Sequence, residues 1–204
     1  MIRKAASHDL DAVEQICIEE FAWERRNGGL TGWVSGVWPS RTTLRRAIAK
    51  GDLVVVRDRL FDADPRMVWG FMVLSQDERE KGRSRAPSYG ERGEVRYRTS
   101  RDEGEGGRFH AVAAARARPE RRVLTLSILC VTPLASRHGL GTSMLRYALD
   151  RARRGSFTLR FVVPTANVPM TSLCAKMGYA PSRRAQTATF EGGPRLECEV
   201  YELR

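Results

Sequence analysis

The sequence predicts an α+β domain built on a central mixed sheet with helices on both faces. Three observations predict it. The 204 residues are enough for one well-buried domain with some length left over. The hydrophobic share of 42% fits a globular protein. Along the chain the patterns read strand, helix, helix, strand, strand, strand, helix, strand, helix, strand, strand.

Each element has its local reason. Ile2 to Lys4 suits a short first strand, and Ser7 or Asp9 then caps a helix striped by Leu10, Val13, Ile16, Cys17 and Phe21. A loop rich in glycine and tryptophan runs from Asn27 to Pro39. Ser40 caps a second helix carrying Leu44, Ala47 and Ile48, which stops at Gly51. Leu53 to Val56 and Met67 to Leu74 are strands close enough to pair as a hairpin through a turn at Asp62 to Pro65.

From about residue 76 to 122 the pattern dissolves into Arg, Glu, Gly and Ser, with few large apolar residues beyond Tyr89, Tyr97 and Phe109. A structureless stretch of that length is uncommon inside a compact domain, so the expectation is one domain over 1–204 with a mobile insertion at about 76–122. Val95 to Tyr97 and Ala111 to Ala117 are the parts of it able to order as a short strand or helix. Order returns with the strand Val123 to Val131 and a helix from Leu140 to Arg153, striped by Leu140, Met144, Leu145, Leu149 and Ala152. Phe157 to Val163 is a strand, Pro169 opens a short helix that Gly178 ends, and Arg184 to Phe190 with Leu196 to Leu203 form a hairpin.

Composition narrows the function classes. No apolar run is long enough to cross a bilayer, and Met1 to Ala5 lacks a signal peptide's apolar segment, so the cytoplasm is the expected compartment. Cys17, Cys130, Cys174 and Cys198 form no Cys-x-x-Cys pair and read as buried thiols, and His8, His110 and His138 are scattered, so no metal is expected. The net charge of +11 attracts phosphates, nucleic acid or acidic proteins. Arginine greatly outnumbers lysine and no aromatic-plus-basic RNA-binding motif is visible, so a nucleic-acid partner is not the favoured reading.

The most informative stretch runs from Leu129 to Thr142. An apolar strand meets Pro133, then a basic turn bearing Gly139 and Gly141, and that turn opens a helix. Successive backbone N–H groups at a helix start suit a phosphate or pyrophosphate, with Arg137 and His138 beside them. The alternative is a tight turn without a ligand. No Lys-Ser or Lys-Thr follows the glycines, so it is not a Walker loop. A third glycine and a later acidic residue are missing, which disfavours a dinucleotide fingerprint.

Val131-x-Pro133 with this turn resembles the acyl-coenzyme A loop of the GNAT superfamily of N-acetyltransferases. Asn167 to Tyr179 is similar to that family's second motif, with its asparagine, Leu173 and the closing Gly178-Tyr179 pair. The two occur in the right order, separated by a helix and a strand. The resemblance implies a mostly antiparallel mixed sheet whose fourth and fifth strands splay apart around acetyl-CoA, the co-substrate. Leu129, Cys130 and Val131 would pair with its pantetheine arm. Arg137, His138, Gly139, Leu140, Gly141 and Thr142 would take the pyrophosphate, and Asn167 would contact the cofactor or hold the splay. It also implies direct attack of an amine on the thioester, with a backbone N–H near Cys130 as a candidate oxyanion contact.

Two positions depart from the pattern. Ser136 stands where the loop usually begins with Gln or Arg, and Cys174 where many members carry a tyrosine that protonates the departing thiolate. A thiol is a weak donor on a short arm, so Cys174 reads either as that acid or as a small apolar helix residue, with water, Thr171 or Ser172 as substitutes. For the base, Ser127 lies on the fourth strand but is a poor proton acceptor, whereas Glu20 and Glu24 near the end of the first helix are chemically better. Trp33 and Trp38 offer indole faces for an ammonium substrate, or else core packing, and Glu24 joins them as a candidate acceptor contact.

The reading is therefore an acetyl-CoA-dependent N-acetyltransferase acting on an amine in the cytoplasm. Its competitors are an acyl-CoA-binding or regulatory module with weak catalysis and a toxin-like acetyltransferase directed at RNA. A homodimer built on the C-terminal hairpin edge is a further expectation, and no membrane partner is expected.

Overall fold

The computed structural model describes residues 1–57, 64, 67–76 and 122–204. Apart from Asp64, Gln76 and Arg122, the expected turn at 62–65 and the expected insertion at 76–122 lie outside the described residues.

Seven strands form one mixed sheet. They are β1 (Ile2–Lys4), β2 (Leu53–Val56), β3 (Gly70–Gln76), β4 (Val123–Val131), β5 (Thr158–Pro164), β6 (Arg183–Thr187) and β7 (Leu196–Leu203), in spatial order β1-β2-β3-β4-β5-β7-β6. Every pairing is antiparallel except β4 with β5, which is parallel because helix α3 (Leu140–Arg154) carries the chain back between them. Helices α1 (Leu10–Asn27) and α2 (Arg41–Ala49) cover one face; α3 and α4 (Val168–Lys176) cover the other. Both faces of β2 are therefore sealed, which is why Leu53 to Val56 is a continuous apolar run rather than an alternation.

The β3 expectation is shifted: the strand begins at Gly70, not Met67. Val68 and Trp69 are buried, and the Trp69 N–H donates to the Val56 carbonyl at 2.9 Å, so the chain lies along β2 before the regular ladder starts. Asn167 caps α4, its side-chain oxygen accepting the Met170 N–H at 3.2 Å, and Ser40 caps α2 by accepting from Thr43 at 3.2 Å. At α1 the cap expectation is corrected. A 3-10 turn, Ser7–Asp9, precedes the helix, and the Asp9 carboxylate reaches backward to the Ala6 N–H at 2.8 Å instead of forward into α1.

Asp9 is 1% exposed and carries the charge that docks α1 onto the β1-β2 edge. Arg3 grips it through both oxygens at 2.8 Å each, and Arg57 reaches it at 2.7 Å. Burial alone would push this carboxyl up. The hydrogen bonds from Arg3, Ala6 and Arg57 outweigh that and leave its pKa at about 2. A second clamp, Arg41 of α2 on Asp11 (2.6 Å) and Glu14, fixes α1 against α2.

Asp9→Asn leaves two guanidinium groups facing a neutral amide and is expected to destabilise the fold by about 3 kcal/mol at neutral pH, read by urea denaturation. A carboxyl depressed in the folded state stabilises above its unfolded pKa and loses that contribution on acidification. The stability gap between wild type and D9N should accordingly narrow between about pH 4 and pH 2.

Candidate functional site

The site is made by a failure of pairing. β4 meets β5 only at Val123 to Thr125 against Thr158 to Arg160. Beyond that point β4 continues along β3 as far as Val131, while β5 continues along β7 as far as Pro164. Residues 126–131 and 161–164 thus face each other across an open wedge in the sheet.

A bulge sits where the wedge opens. Val73 lies opposite Ile128 but Leu74 lies opposite Leu126, so Ser127 is the additional residue in β4. It reverses the side-chain alternation. Leu124 and Leu126 join the core under α3 and α4, whereas Ile128 and Cys130 join the core under α1 and α2. At the far end the Thr132 N–H donates to the Trp69 carbonyl at 2.9 Å. Strand alternation then turns the N–H and C=O of Cys130 toward β3, and those of Leu129 and Val131 into the wedge. The backbone groups available there are those of Leu129 and Val131, the two neighbours of Cys130.

Immediately after β4 come Thr132, a 3-10 turn at Pro133–Ala135 and the basic turn into α3. Arg137 (φ 66°) and Gly139 (φ 82°) are both left-handed, a conformation glycine accepts freely and arginine does not. The first bond of the helix is from the Ser143 N–H to the Gly139 carbonyl at 3.0 Å. The N–H groups of Leu140, Gly141 and Thr142 accordingly have no acceptor among the described residues.

Residues 89–179 match the model of the acetyltransferase (GNAT) family. That segment is similar to a GNAT acetyltransferase domain. No curated protein matches the sequence significantly. Among solved structures the chain is similar to a GNAT-family acetyltransferase of Bacillus cereus, at 15% identity and a TM-score of 0.54 over 100% of this chain and 96% of that one. It is also similar to NAA60 of Arabidopsis thaliana in complex with acetyl-CoA, at 12% identity and a TM-score of 0.59 over 99% and 96%. NAA60 with a bisubstrate analogue gives 13%, 0.60, 100% and 99%. At these identities the likeness shows the fold, including the parted strands.

The remaining candidates fall on two sides of the wedge. On the α1 side, Glu20 lies close enough to Cys130 of β4 for the two to interact electrostatically. Burial, then the neighbouring Glu24 carboxylate, pushes the Glu20 carboxyl up to about 7. Glu19, which the sequence did not single out, accepts from the Thr132 hydroxyl at 2.8 Å and ties α1 to the end of β4. Glu24 is 5% exposed and its oxygens are taken. It accepts the Leu30 N–H at 3.2 Å, the Thr31 N–H at 2.8 Å and the Thr31 hydroxyl at 3.1 Å.

Trp33 packs edge-on against Phe21, with ring centroids 6.5 Å apart. Trp38 stacks on Phe190 of the β6–β7 loop at 5.7 Å and 9°. The Thr189 hydroxyl donates to the Thr31 carbonyl at 3.2 Å, so the loop after α1 is docked on the C-terminal hairpin.

On the α4 side, Cys174 is fully buried, with the Tyr201 side chain beside its thiol. Burial pushes its thiol up to about 11, so at neutral pH it is a thiol and not a thiolate. Tyr201 in turn donates to Glu199 at 2.7 Å and stacks on Phe161 at 4.9 Å. Alternation along β7 puts Glu199 and Tyr201 on one face, which is the one sequence signal for this pair. Asn167 spends its side-chain oxygen on capping α4. Next to the mouth, a cavity of about 480 Å³ between α3 and α4 is lined by Thr142, Arg146, Arg153, Lys176 and Tyr179, among others.

Gly70 sets how closely β3 holds the splayed half of β4. A Cβ there would lie 2.7 Å from the Cys130 carbonyl oxygen and 3.3 Å from the Val131 Cα, both backbone atoms that cannot rotate away. Gly70→Ala should destabilise by about 1–3 kcal/mol, seen as a lowered thermal midpoint.

Proposed function

We propose that this chain is an acetyl-CoA-dependent N-acetyltransferase that takes an amine acceptor from the α1 side of the wedge. The observation that carries the reading is the opening through the sheet, with N–H groups at one mouth and Glu20 over the other side. The crystallised NAA60 relatives hold acetyl-CoA and a bisubstrate analogue, which supports the same cofactor here.

The residues fit acetyl-CoA. Leu129 and Val131 offer a strand edge to the amide groups of a pantetheine arm, as a neighbouring strand would. Arg137, His138, Gly139, Leu140, Gly141 and Thr142 surround the place for a pyrophosphate. Thr142 also borders the basic cavity, which is placed to receive the nucleotide end. Bound acetyl-CoA supplies a thioester open to attack by a neutral amine.

The chain's own contribution is proton handling. Glu20, half-buried near neutral pKa, removes a proton from the attacking amine directly or through one water. Ser127, at the bulge, is a polar group at the wedge's opening and not a base. Cys174 serves packing beside Tyr201; the departing thiolate is protonated by water. Glu24 holds the loop bearing Trp33 and Trp38, which wall the acceptor side.

Thiol release from acetyl-CoA should be detected with at least one member of a panel of amines. Glu20→Gln should lower kcat by about 100-fold or more, with log(kcat/KM) in the wild type rising with pH up to about 7 as Glu20 loses its proton. Cys174→Ser should stay within about tenfold of wild type, because loss of a general acid costs more than that. Tight acetyl-CoA binding with no thiol release on any amine would make the chain an acyl-CoA-binding module instead.

A further inference from the structure

Glu24 does more than tie down a loop. Its carboxylate takes two backbone N–H groups and one hydroxyl from Leu30 and Thr31, and among the described residues no cation pairs with it. The donors hold it in place at 5% exposure without neutralising its charge. Four residues earlier on α1, one helical turn away on the same face, stands Glu20.

Among the described residues, the groups facing Glu20 are few. On α1 they are Glu24, Glu19 and the Cys17 thiol; from β4 there is the Cys130 thiol. Both thiols are buried and pushed above their ordinary range, so they carry no charge at neutral pH. Glu19 is turned toward the Thr132 hydroxyl at 2.8 Å. Glu24 is the neighbouring charge that acts on the Glu20 carboxyl, after burial itself.

We propose that Glu24, fixed by the loop that follows α1 and set one turn from Glu20, is a positioning residue that tunes Glu20 to take a proton from the acceptor amine. The inference rests on the reading of Glu20 as the base. It separates two functions that α1 combines: Glu19 holds the helix to the end of β4, and Glu24 supplies the electrostatic bias.

The test reads Glu20 directly. In protein labelled with ¹³C at the glutamate side-chain carboxyls, one resonance should titrate with a midpoint near 7 and vanish in Glu20→Gln. Glu24→Gln keeps an oxygen for the Leu30 and Thr31 N–H groups but removes the charge, and should move that midpoint down by about one pH unit. Thr31→Val removes one donor, loosens the same latch and leaves the charge, so the midpoint should stay.

A midpoint unmoved in Glu24→Gln, or moved equally by Thr31→Val, overturns the tuning role and leaves Glu24 a structural residue. Should the titrations behave as stated while Glu20→Gln turns over amines at the wild-type rate and pH profile, the tuning stands and the base assignment falls. If Glu24→Gln is too unstable to label, Glu24→Asp retains the charge, and a midpoint remaining near 7 supports the charge while a fall to the ordinary glutamate range overturns it.

Discussion

Everything at the site depends on β4 and β5 abandoning each other after three residue pairs. A parallel ladder that stops in mid-sheet leaves N–H and C=O groups facing a gap, and such groups are costly unless water or a ligand satisfies them. The protein makes the gap tolerable by giving each strand another partner. β3 holds β4 to its end and β7 holds β5 to its end, so neither strand is free to swing and close the ladder. The Ser127 bulge belongs to the same solution, because it re-aims the last part of β4 at the point where the partner is lost.

The bulge also decides which core each residue serves. Without it, Ile128 and Cys130 would continue under α3 and α4 with Leu126, and α1 would pack on different side chains. With it, β4 stitches the two cores together, and α1 lies over the splayed half of the strand. Asp9 with its two arginines, Arg41 with its two carboxylates and Glu19 with Thr132 then fix the helix in direction and depth. Among the described residues Glu20 has no hydrogen-bond partner of its own, and these contacts place it.

Much of this was legible in the residues. The stripes of α1 and α3, the Ser40 and Asn167 caps and the turn at Gly139 are local, set by spacing and by backbone chemistry within a few residues. What failed to show depends on meetings between distant segments. One surplus residue in β4 is invisible without its partner strand, so Ser127 read as an ordinary strand position. Cys174 reads as a candidate acid or a small apolar helix residue, and only the fold shows it fully buried beside Tyr201 of another element. Glu24 reads as a helix carboxylate near an acceptor cleft, and only the folded loop shows that its oxygens are already engaged.

The two faces of the wedge divide the chemistry in the proposed reading. Phosphate-binding N–H groups and the basic cavity belong to α3 and α4, and the carboxylates and indoles belong to α1 and its loop. A reaction between groups arriving from opposite sides needs no residue to carry the acyl group across, because the opening through the sheet is itself the meeting place. That accounts for the absence of any activated thiol among the described cysteines: Cys17, Cys130, Cys174 and Cys198 are all buried with their thiols pushed up. A covalent relay would require the reverse, a depressed thiol open to the wedge. In the proposed reading transfer is direct, and the Glu20 and Glu24 pair serves a proton and not a nucleophile of the protein.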